Sequence, residues 1–254
     1  DLNNFKKLLS NKVKLVSILH VSNALGTIVP IKELISISHK KKIPVLVDGC
    51  QSVPHMKVDV QNLDADFYCF SGHKIYGPTG IGVLYCKSKF LEKMKPYQGG
   101  GEMISNVTFN KTTYQDSPYK FEAGTPNIVG AISLGSAIDY ITKIELENIS
   151  SHEKKLLNYI TDKINSIDSI KIIGTAKNKT GILSFVAKNI HPNDIGTLLD
   201  KQGIAVRTGH HCCQPLMNFF KISSTIRVSF GMYNTFNEID VFIDSLKNAI
   251  KLLR

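Results

Sequence analysis

A lysine follows an apolar, strand-like run in the first third of the chain. The run Phe67–Ser71 leads into the turn Ser71-Gly72-His73-Lys74, which presents a hydroxyl, an imidazole and an amine in succession. A lysine that is packed among non-polar neighbours loses its proton readily and can then act as a nucleophile. The sequence therefore predicts that Lys74 is a nucleophilic amine at the end of a strand.

A carboxylate stands at the end of the preceding apolar run. Val45-Leu46-Val47 leads into Asp48, and Gly49-Cys50-Gln51 follows. Pyridoxal phosphate needs this combination, because a lysine bonds to its aldehyde and a carboxylate keeps its pyridine nitrogen protonated so that the ring can accept electrons. Asp48 and Lys74 therefore predict a site for this cofactor. The structural alternatives are an ordinary surface lysine and an aspartate that caps a turn or a helix.

The elements around these residues predict an α/β fold. Strands that are apolar throughout alternate with helical patterns, which is typical of a mostly parallel sheet covered by helices. Ligands of such sheets bind at the carboxyl ends of the strands. The predicted strands lie near residues 13–20, 42–48, 66–71 and 81–85, with a helix over 30–40. Three polar segments then fall at strand ends: His20–Asn23, Asp48–Gln51 and Ser71–Lys74.

The pattern changes in the second half of the chain. Residues 95–127 are rich in glycine and polar residues and are predicted as loops, and a helix follows over about 128–140. Beyond it, amphipathic helices mix with short strands, which indicates an α+β module. We therefore predict a large cofactor-binding domain over residues 1–139 and a smaller α+β domain over residues 140–254.

Composition excludes several classes of protein. The net charge of +10 comes from scattered lysines without a basic run among aromatics, so a solvated basic surface is favoured over a nucleic-acid site. No apolar run is long enough to span a membrane. The five cysteines lack the spacing of a disulfide framework. These features predict a cytoplasmic enzyme, and the first residue, Asp1, suggests a fragment or a processed product.

Four segments occur in an order that carries a family resemblance. They are Val47-Asp48-Gly49-Cys50-Gln51, Ser71-Gly72-His73-Lys74, Phe121-Glu122-Ala123-Gly124-Thr125-Pro126-Asn127 and Arg207-Thr208-Gly209-His210-His211-Cys212. Together they resemble the class V, fold-type I pyridoxal phosphate enzymes, and the last one narrows the resemblance to cysteine desulfurases of the SufS type (group II). The resemblance covers essentially the whole chain and implies the C-terminal two-thirds of such an enzyme. The preceding third of the family supplies a ring that stacks on the cofactor and a turn that contacts its phosphate.

The resemblance implies further roles around the cofactor. Lys74 forms the Schiff base and shuttles the substrate proton, while Gln51 and Asn23 lie near the phenolic oxygen. Ser71 and His73 donate to the phosphate, and His73 is counted as catalytic too; its alternative is a hydrogen-bonded structural histidine. Thr125 reaches the phosphate of the partner subunit in a homodimer, unless it is a plain turn residue before Pro126.

The segment at residues 207–213 implies the sulfur chemistry. Cys212 is the expected sulfur acceptor, because a persulfide forms on an accessible cysteine whose pKa is lowered by positive or polar neighbours, here His210, His211 and Arg207. Cys213 is a departure from the family, because many relatives have a small residue without a thiol at this position. Three roles stay open for it: it is inert, it accepts sulfur, or it forms a disulfide. Arg227 and Arg207 are the expected substrate-binding residues, and Arg227 suits a carboxylate. The four consecutive residues 210–213 are histidines and cysteines, but neighbours in sequence converge poorly on one metal ion, so no metal site is expected.

The implied activity is a cysteine desulfurase that converts L-cysteine to L-alanine. Its persulfide passes to a sulfur-acceptor carrier protein for iron–sulfur cluster assembly. Selenocysteine lyase and cysteine sulfinate desulfinase are alternatives from the same branch. A chain that lacks activity and only binds a partner is a further alternative, and a nucleic-acid binder is a weak one.

Overall fold

The computed structural model describes residues 1–254, which form two compact units. The first unit comprises Asp1–His20, Pro30–Pro54 and Val58–Lys143. The second comprises Ile144–Arg254 together with two short segments from the first half of the chain, Val21–Val29 and His55–Lys57. The sequence pattern does not reveal these two segments. The assignment of domains to residues 1–139 and 140–254 stays a prediction.

The first unit is built on a four-stranded sheet in the order β1-β2-β3-β4. The parallel strands are β1 (Val16–Leu19), β2 (Val45–Asp48) and β3 (Phe67–Ser71), and β4 (Gly82–Cys86) runs antiparallel to β3. Asp48 pairs with Leu19 on one side and with Cys69 on the other. The predicted mostly parallel sheet is confirmed, and its parallel strands place their carboxyl ends on one edge.

The first unit contains five helices, of which α2 shows a clear buried apolar face. Helix α1 spans Leu2–Leu8, α2 Ile31–Lys40, α3 Val60–Leu63, α4 Ser88–Leu91 and α5 Ile128–Ile144. The predicted helix over 30–40 is confirmed as α2. It buries residues that are three or four positions apart, which are Ile31, Leu34, Ile35 and Ser38. Glu33 lies in its first turn and His39 and Lys40 lie in its last turn, as the helix dipole favours, whereas Lys32 lies in the first turn.

A small hairpin lies within the region that was predicted as loops. Strand β5 (Ile104–Val107) pairs antiparallel with β6 (Thr112–Tyr114). Both strands are short and mostly exposed, so they carry no buried apolar alternation that would mark them in the sequence. Residues 95–127 are rich in loops, as predicted, but the prediction did not include this hairpin.

The second unit contains an antiparallel sheet in the order β7-β8-β10-β9. Its strands are β7 (Ile170–Ile173), β8 (Ile182–Ala187), β9 (Arg207–Gly209) and β10 (Thr225–Ser229). Its helices are α6 (Leu146–Asn165), α7 (Pro192–Asp200), α8 (Gln214–Phe220) and α9 (Phe236–Leu252). Segment 21–29 is tied to this sheet, because Ser184 Oγ donates to Ala24 O over 2.5 Å and Thr180 N donates to Gly26 O over 2.9 Å.

Helices α6 and α9 pack on this sheet and form the core of the second unit. The core includes Leu156, Ile160, Ile164, Phe185, Ile226, Phe242 and Leu246. A capping box between Thr235 and Glu238 begins α9 and satisfies two otherwise unpaired backbone amides. None of the helices combines the length and the apolar character that crossing a lipid bilayer requires.

Candidate functional site

One edge of the first unit gathers five of the predicted site residues. Asp48 ends β2 and Ser71 ends β3, and because these strands are parallel their ends are neighbours. His73 and Lys74 follow Ser71 in a single 3₁₀ turn, and Gln51 lies in the turn after β2. We call Asp48, Gln51, Ser71, His73 and Lys74 the strand-end group.

Asp48 shapes the turn that follows it. Its Oδ1 accepts a hydrogen bond of 2.9 Å from the Cys50 backbone N–H, and its side chain remains exposed. The Cys50 thiol lies 3.6 Å from Ser71 Oγ, which connects this turn to the end of β3. Burial raises the pKa of the Cys50 thiol and of the Cys69 thiol, so neither favours the reactive thiolate. Asp48 thus has the turn-capping role of its structural alternative and still presents a carboxylate.

The surroundings of Lys74 differ from the prediction. The sequence predicted a lysine packed among apolar residues, but the Lys74 side chain is exposed. The reason is local, because the 3₁₀ turn buries its neighbours Gly72 and Ile75 and leaves His73 and Lys74 outside. His73 is exposed as well, and its role stays a prediction.

The second unit presents a cysteine on a tight loop between β9 and α8. His211 and Cys212 both adopt left-handed backbone conformations, with φ of +53° and +58°. Such a conformation costs about 1–2 kcal/mol for each residue other than glycine. The Cys213 N–H donates to His210 O over 2.9 Å and closes the loop. Cys212 is exposed, and its Sγ accepts from Arg207 Nη2 over 3.5 Å.

His211 is buried and does not act as a positive neighbour of this cysteine. Its Nε2 lies 2.8 Å from Thr225 Oγ1, and its Nδ1 has no hydrogen-bond partner. Burial, followed by the charges of Arg227 and Arg207, lowers the pKa of His211 to about 4. The imidazole is therefore neutral at physiological pH. Of the positive or polar neighbours expected for Cys212, His211 is thus a neutral one, and Arg207 is the cation in contact with the sulfur.

Arg207 and Arg227 form a pair of cations without anions. They are directly opposite in the register of β9 and β10, so their side chains leave the same face of the sheet. Neither takes part in any of the ion pairs of the chain. Arg227 Nη1 donates to Asn23 O over 2.8 Å, while its Nε is buried without a partner. Since a guanidinium binds a carboxylate through two parallel hydrogen bonds, this arrangement is suited to an anionic ligand.

Asn23 makes two contacts within the second unit. Its Nδ2 donates to His211 O over 2.7 Å and its own carbonyl accepts from Arg227, while its expected place near the phenolic oxygen together with Gln51 stays a prediction. Asn23 therefore forms hydrogen bonds both with the loop that carries Cys212 and with Arg227. We call Asn23, Arg207, His211, Cys212 and Arg227 the cysteine-loop group. An open cavity of about 460 Å³ is lined by Arg207, Thr208 and residues 210–215.

Sequence reasoning missed some of these contacts and leaves others as predictions. No local signal marks segment 21–29 as a partner of residues 211 and 227, because the contact spans about 200 positions of the chain. Three buried polar residues of the first unit, His20, Ser52 and Tyr68, were not assigned a role. Thr125 is exposed just before α5, and its contact with a partner subunit stays a prediction.

The comparisons with known proteins identify a family and several relatives. A family model described as aminotransferase class V matches residues 1–242. The cysteine desulfurase of Wigglesworthia glossinidia brevipalpis is 50% identical over all of this chain and 62% of its own length. The cysteine desulfurase of Synechococcus elongatus is 49% identical over 97% of this chain and 39% of its own length.

A solved structure confirms the predicted fold. The crystal structure of the Escherichia coli cysteine desulfurase CsdA, in an S-sulfonic acid form, matches with a TM-score of 0.96 and 36% identity. The match covers 100% of this chain and 63% of that one. The chain thus spans less than two thirds of each of these three relatives, from 39% to 63% of their length. On the match over residues 1–242, the chain belongs to the class V aminotransferase family.

Proposed function

We propose that the protein containing this chain is a cysteine desulfurase that depends on pyridoxal phosphate and converts L-cysteine to L-alanine. The observation that carries the proposal is the exposed Cys212. Its sulfur contacts Arg207, which lies opposite Arg227, an arginine without an ion-pair partner. This arrangement provides a thiol nucleophile and a carboxylate receptor on one loop and one strand. The relatives named as cysteine desulfurases support the same chemistry.

The strand-end group fits pyridoxal phosphate. Class V aminotransferases are pyridoxal phosphate enzymes, and the first unit offers an amine, a carboxylate, an amide, a hydroxyl and an imidazole along one sheet edge. We assign Lys74 to the aldehyde, Asp48 to the pyridine nitrogen, Gln51 to the phenolic oxygen, and Ser71 and His73 to the phosphate. When bound, the cofactor supplies a sink for electrons released at the substrate Cα.

The cysteine-loop group would receive the substrate. Arg227 is half-buried and held by Asn23, so its fork is oriented before a ligand arrives. A carboxylate of L-cysteine would satisfy the buried Nε and offset the repulsion between Arg227 and Arg207. Arg207 already contacts the sulfur of Cys212 and would keep it beside the bound substrate.

Proton and sulfur transfer then fall to two residues. The Lys74 amine takes the proton from the substrate Cα and acts as the proton shuttle. The Cys212 thiolate attacks the sulfur of the substrate. A sulfur–sulfur bond forms, the carbon–sulfur bond breaks with its electron pair on Cβ, and protonation of Cβ together with return of the proton to Cα by Lys74 gives alanine. Cys212 is left as a persulfide.

Further features of the proposal concern partners. The persulfide would pass to a sulfur-acceptor carrier protein for iron–sulfur cluster assembly, and the exposure of Cys212 suits such a transfer. We propose that the enzyme acts in the cytoplasm. We also propose a homodimer, since α5 begins just after Thr125 and exposes large apolar side chains. These are Ile128, Val129 and Ile132, which are 55%, 77% and 67% exposed.

Two variants test the proposed function. Lys74→Ala is expected to lose the visible absorption of protein-bound cofactor and to lower alanine formation by roughly 10²–10⁴-fold. Cys212→Ala is expected to lose turnover of L-cysteine, retain activity on selenocysteine and keep the bound cofactor. Cys213→Ala, the adjacent thiol, is the matched control and should keep its turnover. Unaffected turnover of L-cysteine in Cys212→Ala would refute the assignment.

A further inference from the structure

A buried tyrosine lies directly under the turn that carries Asp48. Tyr68 is 2% exposed, and a Cβ on Gly49 would overlap its ring. Its hydroxyl oxygen lies 2.5 Å from Ser52 Oγ and 3.1 Å from His20 Nδ1. The residue at position 49 must therefore be glycine for the turn to rest on this ring.

The hydrogen bonds among these side chains have a defined direction. Ser52 Oγ donates to Gly49 O over 2.9 Å, and a carbonyl can only accept. Because the single Ser52 proton is used there, the Tyr68 hydroxyl must donate to Ser52. The Tyr68 oxygen then accepts from His20, which places the His20 proton on Nδ1. The result is a chain from His20 through Tyr68 and Ser52 to the carbonyl of Gly49.

This chain of hydrogen bonds meets the backbone at Asp48 and at the residue that follows it. It ends on the carbonyl of the next residue, and the His20 backbone N–H donates to Asp48 O over 2.8 Å. All three side chains are buried, with Ser52 0%, Tyr68 2% and His20 5% exposed. Burial lowers the pKa of His20 and, as the largest cause, raises the pKa of Tyr68 to about 12. Both groups are therefore neutral at physiological pH, as the chain requires.

We propose that His20, Tyr68 and Ser52 are positioning residues that hold the Asp48 carboxylate in place for the pyridine nitrogen of the cofactor. This inference rests on the proposed function. Removing the Tyr68 hydroxyl leaves the buried His20 Nδ1–H without an acceptor and takes away the donor to Ser52 Oγ, and the turn can relieve this loss only by moving. A carboxylate displaced by a fraction of an ångström no longer meets the ring nitrogen at hydrogen-bond distance.

Tyr68→Phe tests this role, because it keeps the ring under Gly49 and removes only the hydroxyl. In the protein reconstituted with pyridoxal phosphate, we expect the dissociation constant of the cofactor to rise about tenfold. We also expect a shift in the pH midpoint at which the visible band of the bound cofactor changes, since Asp48 controls the protonation of the ring. Ser52→Ala should give the same changes, and the double variant should be no worse than either single variant, since both break one chain.

Tyr85→Phe is the matched control. Tyr85 lies opposite Tyr68 in the register of β3 and β4, and its hydroxyl is outside the chain of hydrogen bonds. It should leave the affinity and the spectrum of the cofactor unchanged. Unchanged affinity and spectrum in Tyr68→Phe, with the cofactor bound by the wild type, would overturn the positioning role and leave the proposed function standing.

A measurement without the cofactor separates the two proposals. Nitrogen-15 NMR of the histidines, assigned by the loss of one signal set in His20→Gln, should show His20 neutral with its proton on Nδ1. A proton on Nε2 would overturn the hydrogen-bond chain whether or not the cofactor binds. Failure of the wild type to bind pyridoxal phosphate would overturn the proposed function and with it the positioning of Asp48 for that cofactor, even if the Nδ1 signature is present.

Discussion

Arg207 and Arg227 lie opposite each other on two antiparallel strands, and neither meets a carboxylate within the chain. Directly opposed like charges destabilise a sheet, so the arrangement is favourable only when an anion is close. Arg207 already contacts the sulfur of Cys212, while Arg227 keeps a buried Nε without a partner. The pair can therefore serve two anions, a thiolate at Arg207 and a carboxylate at Arg227.

Arg227→Lys tests the carboxylate role. Lysine keeps the charge but loses the planar fork, so two parallel hydrogen bonds become one. A charge-assisted hydrogen bond contributes about 1.5–3 kcal/mol, which corresponds to a rise in KM for L-cysteine of roughly 10–100-fold. Initial-rate kinetics over a range of L-cysteine concentrations measure KM and kcat separately.

Arg254→Lys is the control for this substitution, because Arg254 is the exposed last residue. It should keep the KM of the wild type. An Arg227→Lys variant with unchanged KM would show that the substrate carboxylate binds elsewhere.

The buried His211 makes stability depend on pH. Its pKa in the folded chain is about 4, below its ordinary value of 6.5. Between these values the unfolded chain binds more protons, so the free energy of unfolding falls as the pH falls from about 6.5 towards 4. At pH 5 this single group should cost about 2 kcal/mol relative to neutral pH.

His211→Gln removes this titration while glutamine can still donate or accept at Thr225. Urea unfolding at pH 7.5 and pH 5 should show a smaller loss of stability in the variant, by about 2 kcal/mol. The other histidines are common to both proteins and cancel in the difference. Equal losses in the two proteins would mean that His211 is not held neutral by the fold.

A buried contact between a histidine and a carboxyl group fixes segment 55–57 within the second unit. His55 Nδ1 lies 2.7 Å from Glu153 Oε2, and Glu153 is only 1% exposed. His55→Ala leaves this buried carboxyl group without its hydrogen-bond partner, which costs about 1–3 kcal/mol in the free energy of unfolding. Replacing both residues by alanine should cost less than the sum of the single changes, because the carboxyl group that would lack a partner is also removed.

The exposed His210 provides a control for this measurement by urea unfolding. His210→Ala should change stability by less than about 0.5 kcal/mol. Additive losses in the double variant at His55 and Glu153 would show that the two side chains do not stabilise each other.

Sequence periodicity was sufficient to predict the strands that are buried on both faces and the helices that are amphipathic. The strands β2 and β3 and the helix α2 lie within a few residues of their predicted positions. Burial makes their apolar residues recur with the period of the element, so the pattern is visible in one sequence. The hairpin of β5 and β6 lacks this signal because most of its residues are exposed.

The environment of the site residues could be predicted only in part. Residue types at strand ends placed Asp48, Ser71 and Lys74 on one edge, because parallel strands impose that arrangement. Burial of individual side chains depends on contacts between distant segments. Such contacts leave Lys74 exposed and make His211 neutral, and neither state is encoded in neighbouring residues.

The contact between Gly49 and the ring of Tyr68 predicts that position 49 tolerates no side chain. In Gly49→Ala, the new Cβ would overlap Cε1 and Cζ of a ring that is 2% exposed and cannot move aside. Overpacking of this kind costs about 1–3 kcal/mol, and a loss of 2–3 kcal/mol lowers the unfolding midpoint by about 5–10 °C. Gly99→Ala is the control, since its Cβ has nothing within 4 Å. Adding Tyr68→Phe should not rescue Gly49→Ala, because the obstructing ring atoms remain. Recovery of the midpoint by that second change would instead assign the conflict to the hydroxyl.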